Sequence, residues 1–304
     1  MKVNTILATS ALAGLALAHP LAKREDIDVT VLQFALTLEH LENVFYKEAI
    51  SKLSEQDFKD AGYSAKYYSD LCYIAHDEES HVTALTSALS AAGATPVEAC
   101  TYDFPFTDVK SFITLSSVLE GVGTSAYLGG APLITSKDYL TVAGSILVAE
   151  ALHTSMQRSA LNQVPSPNPY GTPLSPSPVY TLAASFIASC PDSNAALPFT
   201  AFPTLTAVQG TPAAPGIPFE FSIEGDIPQA SYVTWVSGLA VTSEPVTDVS
   251  GKNFMAMVPA TAMGQTYALL TNANVTTVDD SAVLAGPAVI EVTPPSPTFD
   301  VNVL

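Results

Sequence analysis

The stretches EESH (residues 78–81) and EALH (residues 150–153) decide how this chain folds. Each places a glutamate and a histidine three positions apart inside an apolar run, and residues so spaced on a helix lie on neighbouring rows about one turn apart. Because buried carboxylates are costly unless they are paired or bind a metal, each stretch needs a partner inside the protein. The two stretches therefore indicate two helices that converge on a polar centre, and a metal suits both residue types.

Apolar residues recur at three- and four-residue steps in four segments that include these stretches, which is the pattern of amphipathic helices. Ser175-Pro176 adds a typical start for a short fifth helix that ends near Ile187. The predicted long helices span residues 26–53, 65–89, 108–128 and 136–162. Four such helices, separated by connections that contain Gly and Pro, predict a four-helix bundle.

Two further glutamates stand in the first and third of these helices. Glu39 is followed seven residues later by Tyr46, and Glu120 is followed at the same distance by Tyr127. The chain thus repeats one order twice, in which a helix with a Glu/Tyr pair precedes a helix with an E-x-x-H pair. Four carboxylates and two imidazoles that converge in a helix bundle are the ligand set of a two-metal site, and this is the central hypothesis.

Three runs of the sequence resemble the ferritin-like domain of fungal stress-response, desiccation-related and late-sexual-development proteins. They are LTLEHLENVFY (residues 36–46), HDEESHV (residues 76–82) and VLEGVGTSAYLG (residues 118–129). The resemblance covers residues from about 26 to 195, and the C-terminal region resembles the tail of the same proteins through less specific motifs. It implies a ferritin-like four-helix bundle, secretion, and a di-iron or iron–manganese centre, and it implies no particular reaction.

When the ligand positions of the family are transferred one by one to this chain, the resemblance implies a defined ligand set. Glu78 and Glu150 would bridge the two metals, since the carboxylates of E-x-x-H helices usually span both metals in such sites. Glu42 competes with Glu39 for one position, and the repeated spacing to tyrosine favours Glu39. The implied ligands are Glu39, Glu78, His81, Glu120, Glu150 and His153.

Other polar residues beside the implied ligands have two interpretations each. Glu42 and Glu79 either contact a ligand or face solvent. Tyr46 and Tyr127 either hydrogen-bond to ligands or serve only the packing of the core. The sequence leaves these alternatives open.

Three cysteines allow one disulfide and leave one thiol over. Cys100 lies in a loop-like stretch and Cys190 precedes a proline at a helix end, whereas Cys72 lies within a helical pattern. We therefore predict a Cys100–Cys190 disulfide, formed in an oxidising compartment, and a buried Cys72 that behaves as a small hydrophobe.

Residues 1–24 are typical of a secretory signal peptide followed by a short pro-segment. A basic start precedes a short apolar run that ends in Ala16-Leu17-Ala18, and Lys23-Arg24 offers a dibasic processing site. Removal of this segment takes away three of the 11 basic side chains, so the formal charge goes from −18 to 8 − 29 = −21. A surface this acidic disfavours nucleic acid and anionic membranes as partners, and we expect a secreted protein, extracellular or in the cell wall.

After Cys190 the pattern changes to short β-type runs separated by Pro, Gly and Asp, which predicts a small all-β sandwich. The predicted fold class is α+β and multidomain, with residues 1–24 as leader, 25–195 as the ferritin-like bundle and 196–304 as the sandwich. The predicted strands are 218–223, 232–241, 253–258, 266–271 and 288–292. Asn274 begins a glycosylation sequon, and the sandwich offers a surface for a cell-wall or protein partner.

These features predict a secreted redox metalloprotein that activates oxygen or peroxide at a carboxylate-bridged pair of iron or manganese ions. Whether it is an enzyme stays open; as an enzyme it would be a di-iron or iron–manganese oxidoreductase acting on an unknown small molecule. The alternative is a non-enzymatic extracellular stress, developmental or wall-associated protein whose metal site is structural or vestigial. Iron storage in a cage is disfavoured, because the proline-rich segment 164–178 and the β domain would obstruct cage packing.

Overall fold

A computed structural model of the chain describes residues 27–208, 213–228, 231–299 and 303. Helices form the first part of this range and β-strands the last part, so the fold is α+β and multidomain, as predicted. Within the described ranges, no helix combines the length and the apolar character needed to cross a membrane. The predicted signal peptide and dibasic site lie outside the described residues.

Six α-helices form the described N-terminal region, and the four long ones agree closely with the predicted segments. The helices are α1 (Ile27–Lys52), α2 (Glu55–Asp60), α3 (Ala65–Ala91), α4 (Val109–Gly130), α5 (Lys137–Ala160) and α6 (Pro176–Ala184). Helix α2 is absent from the prediction because six residues are too few to display a helical repeat. Its sequence signal is a capping box, in which the side chains of Ser54 and Asp57 each bond to the other residue's backbone.

The apolar stripes of the long helices divide the bundle interior into two layers with a polar zone between them. Along α1, Leu32 and Leu36 belong to one apolar cluster, and Phe45 and Ala49 belong to the other. Glu39 lies between these two groups and is fully buried. The polar zone therefore lies between two apolar layers of the bundle.

A small two-stranded antiparallel sheet ties the loop after α3 to the segment after α6. Its strands are β1 (Thr101–Tyr102) and β2 (Ile187–Ser189). The disulfide between Cys100 and Cys190 lies at one end of this sheet, so the structure contains the predicted bridge.

The prediction that Cys72 is buried is wrong, because its side chain is exposed on α3. Its neighbours Leu71 and Ile74 are buried in the bundle core. A step of one residue turns a helical side chain by about 100°, so Cys72 points away from the face that carries Leu71.

Eight strands form the sandwich in the described C-terminal region, as two antiparallel four-stranded sheets. The strands are β3 (Leu205–Ala207), β4 (Pro218–Ile223), β5 (Tyr232–Ser237), β6 (Ala240–Pro245), β7 (Thr247–Ser250), β8 (Asn253–Met257), β9 (Gly264–Thr271) and β10 (Val283–Val292). Their orders in space are β10-β9-β5-β6 and β3-β4-β8-β7. Phe221, Trp235 and Phe254 belong to the apolar cluster of the sandwich, so Trp235 is a core residue.

The single strand predicted over residues 232–241 is wrong, because the chain turns back at Gly238 and forms β5 and β6. Gly238 has a φ of 54°, in the left-handed region that favours glycine. The short strands β3 and β7 are also absent from the prediction. The domain boundary predicted near residue 195 falls between β2 and β3 and stays a prediction.

Strand β9 is buried on both faces because its sheet also packs against the helical bundle. Ala268 and Leu270 belong to the sandwich core, whereas Tyr267 and Leu269 belong to the large apolar cluster of the bundle. Successive residues of a strand point to opposite faces, so both sets of side chains meet protein. This explains why β9 is apolar over most of its length instead of alternating with polar residues.

Polar contacts fix the interface between the sandwich and the bundle. The Tyr267 hydroxyl donates to the carbonyl oxygen of Gly121 on α4 at 3.0 Å. The side-chain amide of Gln265 occupies the space that a Cβ atom at Gly121 would need. Buried Arg158 on α5 donates two hydrogen bonds of 2.8 Å to the carboxylate of Glu291 on β10. The sandwich is therefore held against the two helices that carry half of the implied metal ligands.

Candidate metal centre

The polar zone of the bundle contains the six residues that the sequence singles out. Helix α1 supplies Glu39, α3 supplies Glu78 and His81, α4 supplies Glu120, and α5 supplies Glu150 and His153. The four glutamates have no exposed surface, and the two histidines are 9% and 6% exposed. The E-x-x-H helices thus bring both residue types of each pair to the same interior space.

The first histidine faces three carboxylates from three different helices. His81 Nδ1 lies 3.2 Å from Glu39 Oε2, 3.4 Å from Glu78 Oε2 and 3.4 Å from Glu150 Oε1. Each of these four residues has one possible ligand atom in this group, and the four atoms lie within 4.8 Å of one another. A single ion could contact all four.

The second histidine forms an equivalent group on the other side. His153 Nδ1 lies 3.0 Å from Glu78 Oε1 and 3.3 Å from Glu120 Oε2. Its group consists of Glu78, Glu120, Glu150 and His153, again with ligand atoms within 4.8 Å of one another. Glu78 and Glu150 belong to both groups, which is the arrangement expected of bridging carboxylates. The assignment of all six residues as ligands stays a prediction.

Many polar atoms in this cluster lack a hydrogen-bond partner. Both carboxylate oxygens of Glu78 and Glu150, Oε2 of Glu120 and Nδ1 of His153 are buried without one. An unsatisfied buried polar atom is costly, and more so when it is charged. Metal ions would satisfy these atoms, and carboxylate oxygens with imidazole nitrogens suit iron or manganese. The residues present therefore fit a pair of such ions.

The protonation of the metal-free cluster is strongly perturbed. Burial raises the pKa of Glu78 to about 7, although the close approach of the two histidines opposes the rise. Burial and the charge of Glu78 raise the pKa of Glu150 well above its ordinary range. Burial would lower the pKa of His153, yet the close carboxylates of Glu120 and Glu78 raise it to about 11. Without cations the cluster therefore holds protons that bound metals would displace.

The two tyrosines of the repeated spacing contact the carboxylates of the opposite pair. The Tyr127 hydroxyl donates to Glu39 Oε1, and the Tyr46 hydroxyl donates to Glu120 Oε1. Tyr46 also lies 2.7 Å from the Ser116 hydroxyl. Each tyrosine thus fixes one oxygen of a glutamate, and Oε2 of the same glutamate faces a histidine.

The alternatives for Glu42 and Glu79 resolve differently. Glu42 is buried, and its Oε2 has no hydrogen-bond partner, so it does not face solvent. Glu79 is exposed, with its carboxylate 3.0 Å from the ammonium group of Lys47. A Cβ atom at Gly123 would lie 2.9 Å from Glu42 Oε1 and 2.5 Å from Glu150 Oε2, so Glu42 adjoins the cluster on this side.

Two polar residues beside the centre are absent from the sequence prediction. Asp77 Oδ2 lies 3.3 Å from His153 Nε2, the ring nitrogen that points away from the cluster. Gln157 donates to the Tyr46 hydroxyl at 3.3 Å. Gln157 could have been found, because it lies four residues after His153 on the same helix face. Asp77 has no such signal, since its contact joins two helices.

Comparisons with known proteins agree with this description of the helical region. Residues 27–163, less than half of the chain, match the family described as a ferritin-like domain. Protein rds1 of the fungus Schizosaccharomyces pombe is 28% identical over 229 residues, which are 74% of this chain and 53% of that protein. The chain therefore spans about half the length of this curated relative. The N-terminal region is ferritin-like, and a β-rich region follows it.

A solved structure is also similar to part of the chain. It is a conserved hypothetical protein, rv2844, from Mycobacterium tuberculosis, with 19% sequence identity and a TM-score of 0.39. The similarity covers 45% of this chain and 91% of that one. A likeness at this level carries no argument about the present protein.

Proposed function

We propose that this protein binds a pair of iron or manganese ions in its helical bundle and uses them for redox chemistry with oxygen or peroxide. The observation that carries the proposal is the pair of overlapping ligand groups that share Glu78 and Glu150. A bound pair of such ions would supply two electrons at one place, which suits peroxide reduction or the oxidation of a small molecule.

The charge of the cluster supports two divalent ions over one. The two ligand groups contain four carboxylates, so two divalent cations give 4 × (−1) + 2 × (+2) = 0, whereas one leaves −2 in the interior. A net charge buried between apolar layers is strongly unfavourable. The chain's own ligands are thus best matched by a dinuclear site.

Residues around the ligands are suited to hold them in place. Tyr127 and Tyr46 bond to Glu39 and Glu120, and Asp77 lies against the outer nitrogen of His153. Such contacts fix the tautomer of a ligating imidazole and the orientation of a carboxylate. They leave Nδ1 of His153 and Oε2 of Glu39 and Glu120 facing the other ligand residues, where they could hold the ions.

Metal analysis tests the proposal, with neighbouring glutamates as matched variants. The full chain is expressed with iron and manganese supplied. It should then contain about two ions per chain, measured by inductively coupled plasma mass spectrometry. Glu78→Ala should lower this content below about one ion, because Glu78 belongs to both ligand groups. Glu79→Ala should leave it unchanged, since Glu79 is exposed and pairs with Lys47. Less than one ion in the unaltered chain, unaffected by Glu78→Ala, would refute the proposal.

Redox activity needs its own measurement. Addition of peroxide or oxygen to the metal-loaded protein should change its ultraviolet–visible spectrum and consume the oxidant. A protein that binds two ions and consumes neither would support the alternative, a non-enzymatic protein with a structural metal site.

We further propose that the protein is secreted and acts outside the cell or in its wall. Supports for this are the leader-like residues 1–24, the Cys100–Cys190 disulfide and the exposed position of Asn274 after β9. The mature chain from the culture medium should begin near Glu25, and Asn274→Gln should remove the mass of one glycan. Retention of the chain inside the cell would contradict this part of the proposal.

A further inference from the structure

A cavity of about 160 Å³ lies between α1, α4, α6 and β10. Its walls are mostly apolar, with Leu38, Val122, Leu182 and Val289 contributed by the four elements in turn. Among the described residues that line it, Glu42 is the one with a carboxyl group. The cavity therefore has an apolar body and one ionisable side chain in its wall.

The polar part of this cavity adjoins the candidate metal centre. Glu42 is 4% exposed, and its Oε2 atom has no hydrogen-bond partner. Gly123 also lines the cavity, and a Cβ atom there would lie between Glu42 Oε1 and Glu150 Oε2. Because glycine has no side chain, Gly123 lets the wall of the cavity approach Glu150 closely.

We propose that this cavity binds a small organic substrate with an apolar body about the size of a benzene ring and one hydroxyl group. An apolar cavity of about 150 Å³ is known to hold benzene, so the volume suits such a molecule. A hydroxyl both donates and accepts hydrogen bonds, so it can pair with the Glu42 carboxyl group whether that group is protonated or ionised. The hydroxyl would then lie beside Gly123, next to the ligands of the metal pair.

The position of the cavity also gives α6 and the sandwich a role beside the candidate metal centre. Leu182 and Ala183 come from α6, and Val289 comes from the sandwich, so neither wall belongs to the four long helices. Both walls cover the α1–α4 side of the bundle, where Glu42 and Gly123 lie. The proposal rests on the proposed function, and it assigns to α6 and β10 the selection of the molecule that reaches the centre.

Binding of benzyl alcohol and toluene to the metal-loaded full chain tests the proposal, by calorimetry and by the rise in melting temperature. Benzyl alcohol should bind more tightly than toluene, because one hydrogen bond contributes about 3- to 10-fold in affinity. Glu42→Leu should remove this difference while toluene still binds. No binding of either probe to the unaltered chain, or an unchanged preference in Glu42→Leu, would overturn the proposal.

Filling the cavity from the sandwich side gives a second test. Val289→Phe should reduce the binding of both probes at least about 10-fold by occupying the space, and Val148→Phe, on an exposed part of α5, should not. Ala183→Val fills the cavity from α6 and replaces Val289→Phe if that variant does not fold. Equal binding in the filled and control variants would overturn the proposal.

Metal content, measured on every sample, separates this proposal from the proposed function. Two ions with no probe binding would contradict the cavity proposal alone. Probe binding that follows the predicted pattern, in a chain that takes up no metal although iron and manganese are supplied, would contradict the metal proposal alone.

Discussion

The helical bundle and the β-sandwich bury different kinds of polar groups. The bundle encloses carboxylates and imidazoles, several of whose atoms lack hydrogen-bond partners. The buried polar residues described in the sandwich are all serines and threonines. Thr234 is typical of them, with its hydroxyl 2.8 Å from those of Ser243 and Thr271.

The described core of the sandwich contains only neutral polar groups, whereas the bundle core contains carboxylates that need protons or cations. The described interior of the sandwich holds no buried charge: its hydroxyls have hydrogen-bond partners within the protein, and its one buried side-chain atom without a partner is the neutral Nε1 of Trp235. Clustered carboxylates repel one another and must be protonated or neutralised by cations. The sandwich is therefore expected to respond to changes in packing, and the bundle to changes in pH and metal.

The largest expected effect of a single substitution lies in the sandwich. Phe221 is fully buried and contacts the rings of Phe219, Trp235 and Phe254. Phe221→Ala should lower the free energy of unfolding by about 3–5 kcal/mol, measured by chemical denaturation, because it leaves a cavity. Phe299→Ala, at an exposed ring, should change it by less than about 0.5 kcal/mol. Equal effects of the two substitutions would contradict the description of this core.

The metal-free bundle should lose stability as the pH rises. The pKa of Glu78 is raised from 4.5 to about 7, so between these values the folded chain keeps a proton that the unfolded chain has lost. The contribution of Glu78 to stability is then fully present below about pH 4.5 and falls by about 3 kcal/mol between there and pH 7. Urea denaturation at several pH values in the presence of a chelator measures this loss.

Glu78→Gln provides the control for this pH dependence. The amide has the shape of the protonated acid and does not titrate, so the decline between pH 4.5 and 7 should become shallower. Metal-loaded protein should instead gain stability over this range, because the ions compete with protons for the same atoms. An identical decline in the Glu78→Gln variant would exclude Glu78 as its source.

A smaller effect is expected at the ion pair that joins the two regions. Arg158 is 3% exposed and pairs with Glu291, which is about one-third exposed. Glu291→Leu should lower stability by about 1–3 kcal/mol, because it leaves the guanidinium buried with only part of its hydrogen bonds. Adding Arg158→Met should recover much of the loss, since no unpaired charge then remains. A double substitution as unstable as the sum of the single ones would contradict this account.

The smallest effect is expected on the surface beside the centre. Lys47 and Glu79 form an ion pair whose side chains are both more than half exposed. Lys47→Ala should change the free energy of unfolding by less than about 1 kcal/mol, because solvent screens such pairs. The metal content should not change, although Glu79 is adjacent to Glu78 in sequence. A loss of metal would mean that the charge of Lys47 acts on the centre.

The sequence predicts those features that repeat along one helix or strand. The four long helices follow from apolar periodicity, and Glu39 and Glu120 enter the predicted ligand set through their shared seven-residue spacing to tyrosine. The Cys100–Cys190 bridge follows from the loop-like stretch around Cys100 and the position of Cys190 before a proline at a predicted helix end. Each of these signals lies within one element or its flank.

Features that depend on contacts between distant elements escape prediction. The burial of β9 on both faces requires knowledge of where the bundle lies, and the contact of Asp77 with His153 joins α3 to α5. The helical pattern does not fix the edge of the buried face, so it wrongly predicts a buried Cys72. The proposed cavity belongs to this class too, since four separate elements form its walls.

The disulfide between Cys100 and Cys190 makes one part of the chain cyclic and leaves the rest linear. Ninety positions separate the two cysteines, and the closed loop contains α4, α5 and α6 with Glu120, Glu150 and His153. Glu39, Glu78 and His81 lie outside the loop on the linear part. Oxidation restricts only the cyclic part of the unfolded chain, so the two halves of the metal centre enter folding under different constraints, and bound ions would add a further link between them.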